Sequence, residues 1–398
     1  MIALPTKSFY GLLALALALF VNHSSLHAAA AESPPDGVRR VVQTVPGMPP
    51  VTNPDNLYSE TARDKLSATV ANHLSRIYVP NRSSNDVWVI DPATGKVIKK
   101  FRVGVHPQHV VPSWDLKTLW VNNNAEGRSD GSVTPIDPVT GKAGKTIPVD
   151  DPYNMYFTPD GSAAIIVAEA RKRLDFRDPH TMAMKYSIDT PNCAGINHAD
   201  FSIDGRYGFF TCEYAGSLVK IDLIERKVVS YLKLSKGGMP QDIRIAPDGR
   251  AFYIADMKAE GVFVVDADKF IEIGHIKTGL GAHGLYPSRD GKQLYVANRG
   301  VARVYGPPKG KGSVSVIDFA TRRVTTTWPI PGGGSPDMGN LSVDGNTLWL
   351  SGRYDNAVYS FDTTSGGVKI IPVKTEPHGL TVWPQPGRYS LGHTGNLR

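Results

Sequence analysis

Cysteine is nearly missing from this chain: among 398 residues there are two, Cys193 and Cys212. The motif C-x-x-C-H does not occur, which excludes covalent haem attachment of that type, and neither H-E-x-x-H nor G-x-S-x-G occurs to mark a zinc protease helix or a nucleophile elbow. Long apolar runs are scarce too. The one present, residues 9–21, is shorter than the roughly 20 residues a membrane-spanning helix needs. Strong charge of either sign is also lacking. Charged residues make up 20% of the chain and the formal net charge is +7; that permits an anionic partner without demanding one.

What is present begins with an export signal. Lys7 supplies a positive start, residues 9–21 the apolar core, and Ala28-Ala29-Ala30 a small-residue cleavage site. Residues 1–30 therefore read as a secretory leader, with no lipid-anchor cysteine beside the cleavage site and no transmembrane segment left after its removal. The mature protein is expected in the periplasm or secreted. Two nearby cysteines in such a protein read as one disulfide. Residues 31–70 are Pro-rich and patternless, an extended arm.

From Arg76 onward apolar residues alternate, as half-buried antiparallel strands require. A hairpin with an Asp-Gly turn then recurs, as in Phe157-Thr158-Pro159-Asp160-Gly161 and Ile245-Ala246-Pro247-Asp248-Gly249; Asp and Gly both tolerate the positive φ of a tight turn. Its successive starting residues lie 45, 44, 44, 41, 54 and 41 apart. A four-stranded propeller blade takes roughly 40–45 residues, and the long interval holds the Gly/Pro/Lys-rich insert at residues 305–312. Seven starts predict an all-β, seven-bladed β-propeller of four-stranded antiparallel blades over residues 71–398. The last inner strand, at residues 377–383, has no outer strands, whereas the first segment lacks an inner one. The two ends are expected to share a blade, leaving residues 388–398 as a tail.

The segments Ile77-Tyr78-Val79-Pro80-Asn81, Leu119-Trp120-Val121-Asn122-Asn123 and Leu294-Tyr295-Val296-Ala297-Asn298 resemble the repeat of the YVTN family of seven-bladed propellers, and so do the companion patterns Val-x-Val-Ile-Asp-x-x-Thr-Gly-Lys and Pro-His-Gly-x-x-x-x-Pro-Asp-Gly. The resemblance implies the fold. For function it implies only a range: surface-layer and periplasmic proteins, with lactonases, haem d1 domains and a copper-cluster domain among related propellers. Fold does not transmit chemistry.

Aligning the hairpins on their turns brings His109, Asn154, His198, Asp242, His283, Asp337 and His378 into one column at the start of the inner strands. The alignment calls for a one-residue bulge at His283 and at Asp337. In a propeller such a column is a ring at one channel mouth. It reads as a site for a small ligand, or for a metal held by His109, His198, His283 and His378, since imidazoles suit copper, iron and zinc. The competing reading is polar lining that satisfies loop backbone and channel water. His106 and His393 lie on segments that could approach the same mouth. Arg82, Arg171, Arg299 and Arg353 follow second strands and would crown this face, where guanidinium groups suit a carboxylate or phosphate. Cys193 and Cys212 fall near the same mouth, either bonded or as a copper site. Gly279-Leu280-Gly281-Ala282-His283-Gly284 precedes a strand and so fails as a dinucleotide motif, and the short basic loops offer nucleic acid no stacking groove.

These features describe an exported binding module that takes a small anionic ligand or a periplasmic protein partner at one channel mouth. One rival is a redox or metal-dependent protein holding copper, iron, or a haem d1- or quinone-type cofactor. Another is a metal-assisted lactonase or lyase. No catalytic residue stands out, and whether the chain is an enzyme is left open.

Overall fold

The computed structural model describes residues 40–393 and 395–398. The expected leader, residues 1–30, lies outside the described residues. Residues 76–383 form a ring of seven antiparallel sheets. Blade 1 contains Arg76–Asn81, Asp86–Asp91 and Lys96–Arg102, with Thr381–Trp383 as its innermost strand. Arg76 pairs with Trp383 and Tyr78 with Thr381, so the two ends of the chain close one sheet as their half-motifs require. Blades 2 to 7 begin on the inner strands Pro107–Pro112, Pro152–Phe157, Ile196–Phe201, Pro240–Ile245, Ala282–Pro287 and Pro336–Leu341. Blade 2 departs slightly, because its outer edge is split into Lys142–Ala143 and Ile147–Pro148.

No blade buries its apolar faces alone. Phe209 and Leu218 of blade 4 pack with Ile243, Phe252 and Phe263 of blade 5, and blades 3 and 4 share Ile165, Phe176, Phe201, Phe210 and Val219. Side chains of the inner strands also hydrogen-bond the next blade. Ile245 N donates to Asp200 Oδ2 at 2.9 Å and Leu285 N to Asp242 Oδ2 at 2.9 Å. Val382 N donates to Asn340 Oδ1 at 2.7 Å, which carries the pattern across the closure.

The Asp-Gly turns differ from the expected tight form. Only the glycine takes a positive φ, as at Gly205 (78°) and Gly249 (71°). Gly205 N donates to Ser202 O, and Asp204 Oδ1 caps Arg206 N at 3.0 Å. This is a type I turn with glycine in its fourth position, favoured because an Asp side chain can replace a backbone acceptor.

The two terminal segments occupy the face that carries these turns. The arm is tied down where Val45 N meets Asp204 O at 2.9 Å and Leu57 N meets Pro247 O at 2.7 Å. The tail, residues 389–398, enters the channel from this side: Phe157 N donates to Leu391 O at 3.1 Å and His393 N to Met155 O at 3.0 Å. Arg398 reaches Asp200 Oδ1 at 2.8 Å, where Asn396 Nδ2 also donates at 3.2 Å. No helix among the described residues is long and apolar enough to cross a membrane.

Asp200 thus ties blade 4, blade 5 and the tail together, and Asp200→Ala would leave the Arg398 guanidinium buried without its carboxylate. The expected loss is about 3–5 kcal/mol in urea unfolding. Thr94→Ala, which removes an exposed turn bond to Asp91, should cost less than about 1 kcal/mol by the same assay.

Candidate metal centre

The site is built by irregularity at the start of the inner strands. The pairing register skips between Pro107 and His109, Ile196 and Ala199, Pro240 and Ile243, Ala282 and Gly284, and Pro336 and Gly339, and in blade 3 beside Asn154. The bulge is general to blades 2 to 7 and not peculiar to His283 and Asp337, which corrects the alignment: Gly284 and Met338 stand level with His109, and His283 and Asp337 fall one position upstream, level with Gln108. A bulge re-aims a side chain that the pleat would send elsewhere, and here it lies at or beside six members of the aligned column, all but His378. All seven are buried: His283 is 1% exposed, and His109, Asn154, His198, Asp242, Asp337 and His378 are at 0%.

The structure brings the four column histidines together and adds a fifth, His393 from the tail. Ring centroids lie 4.7 Å apart for His109–His378, 5.6 Å for His109–His198 and 5.2 Å for His109–His393. His106 instead stands at the rim, in the field of Arg82, Glu126 and Glu376.

Two sets within this cluster have three donors converging: His283, Asp337 and His378, and separately His198, Asp242 and His393. In the first set His283 Nδ1 lies 2.9 Å from Asp337 Oδ1 and His378 Nε2 lies 3.4 Å from Asp337 Oδ2. None of these close approaches is aligned as a hydrogen bond. Both nitrogens of His378, both of His109, and Asp337 Oδ2 have no aligned hydrogen-bond partner among the described protein atoms. Each such buried group costs about 1–3 kcal/mol.

Burial leaves the imidazoles neutral. Burial pushes the His109 pKa down to about 3 and that of His283 to about 4, and Arg299 adds to the push on His283. Burial likewise holds His198, His378 and His393 well below the usual histidine range. Burial would raise the Asp337 carboxyl, but Arg299, with His283 and His378, overrules it and keeps that group well below the usual carboxylate range. Burial lifts Asp242 to about 6, although Arg244 opposes the rise.

Above the cluster opens a narrow polar funnel, lined among others by Gln108, Tyr153, Glu169, Glu213, Gln241 and Tyr305. Tyr305 comes from the Gly/Pro/Lys-rich insert, whose length is thereby put to use at the mouth. Of the four arginines in the sequence reading, Arg299 donates to Asp337 at 2.8 Å and Arg353 to Glu376 at 3.2 Å, while Arg82 pairs with both Glu376 and Glu126. Arg171 stands outside the funnel, paired with Asp150 at 3.0 Å. The crown is thus an array of ion pairs. Cys193 and Cys212 form a disulfide with Cα atoms 4.8 Å apart, so neither sulfur is a thiolate for copper.

Sequence reasoning had no claim on Gln108, Tyr153, Asn197 and Gln241. Each immediately precedes a member of the aligned column, so a second column one residue upstream carries that signal. Arg244, which donates to Asp242 Oδ1 at 2.8 Å from a fully buried position, had no signal in the repeat.

Burial, then Glu213 nearby, raises the Glu169 pKa well above the usual range, and burial raises Glu213. A carboxyl raised in the folded state holds its proton after the unfolded chain has released it, so stability falls as pH rises through the folded value. Glu169→Gln should flatten that slope. Melting temperatures from pH 4 to pH 8 should converge at the acid end and leave the variant higher at the alkaline end.

Comparison with known proteins agrees with this architecture. A family model for YNCE-like beta-propellers matches residues 37–386. The uncharacterized protein YncE of Salmonella typhi is 24% identical over 282 residues, which span 67% of this chain and 74% of that protein. Among solved structures, the periplasmic gluconolactonase PpgL of Pseudomonas aeruginosa superposes with a TM-score of 0.62 at 18% identity, covering 77% of this chain and 98% of that one. The putative 6-phosphogluconolactonase of Bacteroides uniformis gives 0.62 at 16% identity, covering 77% and 98%. At such identities the solved structures speak for the fold alone. With most of its length matched by the family model, this chain belongs to the YNCE-like β-propeller family.

Proposed function

We propose that this chain is an exported binding module whose ligand is a first-row divalent transition-metal ion, taken through the funnel into the His283, Asp337 and His378 set. One observation carries the reading. Two neutral imidazoles and an ionised carboxylate converge at 2.9 and 3.4 Å, with both His378 nitrogens and Asp337 Oδ2 unspent on hydrogen bonds and Asp337 Oδ1 held by Arg299. Donors arranged tetrahedrally about 2.1 Å from zinc stand roughly 3.4 Å apart, so the pocket already has the right span. His109 stands beside His378 and offers a further nitrogen. Imidazole with carboxylate suits zinc, copper, iron or nickel.

The funnel offers a cation carboxyl oxygens, although burial makes Glu169 and Glu213 hold their protons above the usual range. Glu126, Glu169 and Glu213 line it, and its arginines are engaged in ion pairs. A small anionic ligand has no unpaired guanidinium among Arg82, Arg299 and Arg353 to meet. Nor does the cluster leave room for a haem d1- or quinone-type group. Its rings pack tilted or edge to face within 4.7 to 6.2 Å of one another, and a Cβ on Gly379 would come within 2.0 Å of His109 Nδ1. The lactonase reading has only fold likeness behind it. Export rests on the leader motif at residues 1–30.

Elemental analysis of the full chain, purified without chelator, should find a transition metal. Metal-free protein titrated with Co²⁺ or Zn²⁺ should bind it, and His283→Ala and His378→Ala should each weaken that binding by at least about a hundredfold. Arg171→Ala should leave it unchanged. Wild-type affinity retained in both histidine variants, with the fold intact by circular dichroism, would overturn the proposal.

A further inference from the structure

The ring of residues that follows the second strands is lopsided. In blades 6, 7 and 1 its members are Arg299, Arg353 and Arg82, directly after Gln293–Asn298, Thr347–Gly352 and Arg76–Asn81. In blades 3 and 4 the same position holds Glu169 and Glu213, directly after Ala164–Ala168 and Tyr207–Cys212. Neighbouring blades thus set two carboxyl groups side by side on one wall of the funnel, and both line it. Each arginine has a carboxylate of its own: Arg299 has Asp337, Arg353 has Glu376, and Arg82 has Glu376 and Glu126. Neither Glu169 nor Glu213 belongs to an ion pair among the described residues. Burial and the neighbouring Glu213 hold a proton on Glu169, and a divalent cation between the two carboxyls would take that proton's place.

The surroundings supply oxygen. Gln108 is 2% exposed and lines the same funnel, and its Oε1 has no partner. The amide is held in this orientation, because its Nε2 donates to Asn124 Oδ1 at 3.4 Å and that oxygen also receives Glu126 N at 3.3 Å. Glu213 Oε2 accepts from Asn197 Nδ2 at 3.0 Å, and Gln241 also donates to this carboxyl. A carboxylate has about four acceptor positions, so the two amides fix the direction of Glu213 and leave it lone pairs. No side-chain hydrogen bond engages Glu169 among the described residues.

We infer that Glu169, Glu213 and Gln108 Oε1 form an outer site for a hard divalent cation of the calcium class, at the funnel mouth and separate from the histidine set. All its protein donors are oxygens, which suit calcium, magnesium or manganese better than copper or zinc. Water from the open side completes the shell of roughly six to eight oxygens that calcium takes. The site shares no ligand with the His283, Asp337 and His378 set, so either can exist without the other.

The test uses Tb³⁺, a calcium stand-in whose emission nearby tyrosines sensitise; Tyr153 and Tyr214 line this funnel. Titrated into the full chain under tyrosine excitation, Tb³⁺ should give saturable emission that Ca²⁺ competes away. Glu169→Gln and Glu213→Gln, which keep the shape and remove the charge, should each weaken binding by about tenfold or more, with a smaller loss in Gln108→Ala. Glu169→Gln removes a carboxyl that burial disfavours, so it tests the site without a loss of folding. Wild-type affinity in both glutamine variants would overturn the outer site. So would the absence of saturable emission in wild type, which would leave transition-metal uptake by the histidine set standing. Emission lost in His378→Ala and kept in both glutamine variants would place the ion in the histidine set and overturn the outer site as well.

Discussion

The pairing of Thr381–Trp383 with Arg76–Asn81 is the contact on which the other features of the molecule depend. A blade exposes an apolar face on each side, and only a closed ring covers both faces of every blade. Closure also forces seven inner strands to converge on one axis. Backbone groups that start those strands cannot all find ladder partners there, and side chains take over: Asp200, Asp242 and Asn340 each receive an N–H from the following blade. The polar axis is thus part of what holds the ring together.

The same crowding creates the site. Bulges at the inner-strand starts turn His109, His198, His283 and Asp337 inward beside His378 of blade 1, and burial strips them of water. Burial lowers the imidazole pKa values, so neutral donor nitrogens face one another across a few ångströms. Such an arrangement carries an unfavourable cost unless something satisfies the donors. Asp242 shows how closely scaffold and site overlap: one oxygen serves Leu285 N, while the other faces Arg244 and His393.

Charge is handled differently at the rim and on the axis. At the rim, guanidinium and carboxylate groups cancel in pairs, so several arginines contribute little free positive potential. On the axis Asp337 remains ionised because Arg299 is fixed beside it at 2.8 Å. The anchored carboxylate and the neutral imidazoles present oxygen and nitrogen donors, with the carboxylate's charge balanced by Arg299. Membership of the YNCE-like family accounts for the ring and not for these particular side chains, because fold and site vary independently.

The sequence by itself determined the ring: alternation, turn residues and a period near 44 are local signals, and local signals repeat wherever a blade repeats. It also determined which residues begin the inner strands, and hence that His109, His198, His283 and His378 share one end of the channel. Three matters were decided only in the tertiary structure. Arg82, Arg299 and Arg353 found carboxylate partners whose numbers lie far from theirs in the chain. The bulges appeared in blades 2 to 7, because convergence on the axis and not the local motif demands them. The tail turned inward, because Gly392 and His393 carry no repeat signal and their place depends on Asp200, Met155 and Asn154, which only the closed ring brings together. Periodicity reports contacts between neighbours in sequence; a channel is made of residues that are neighbours in space alone.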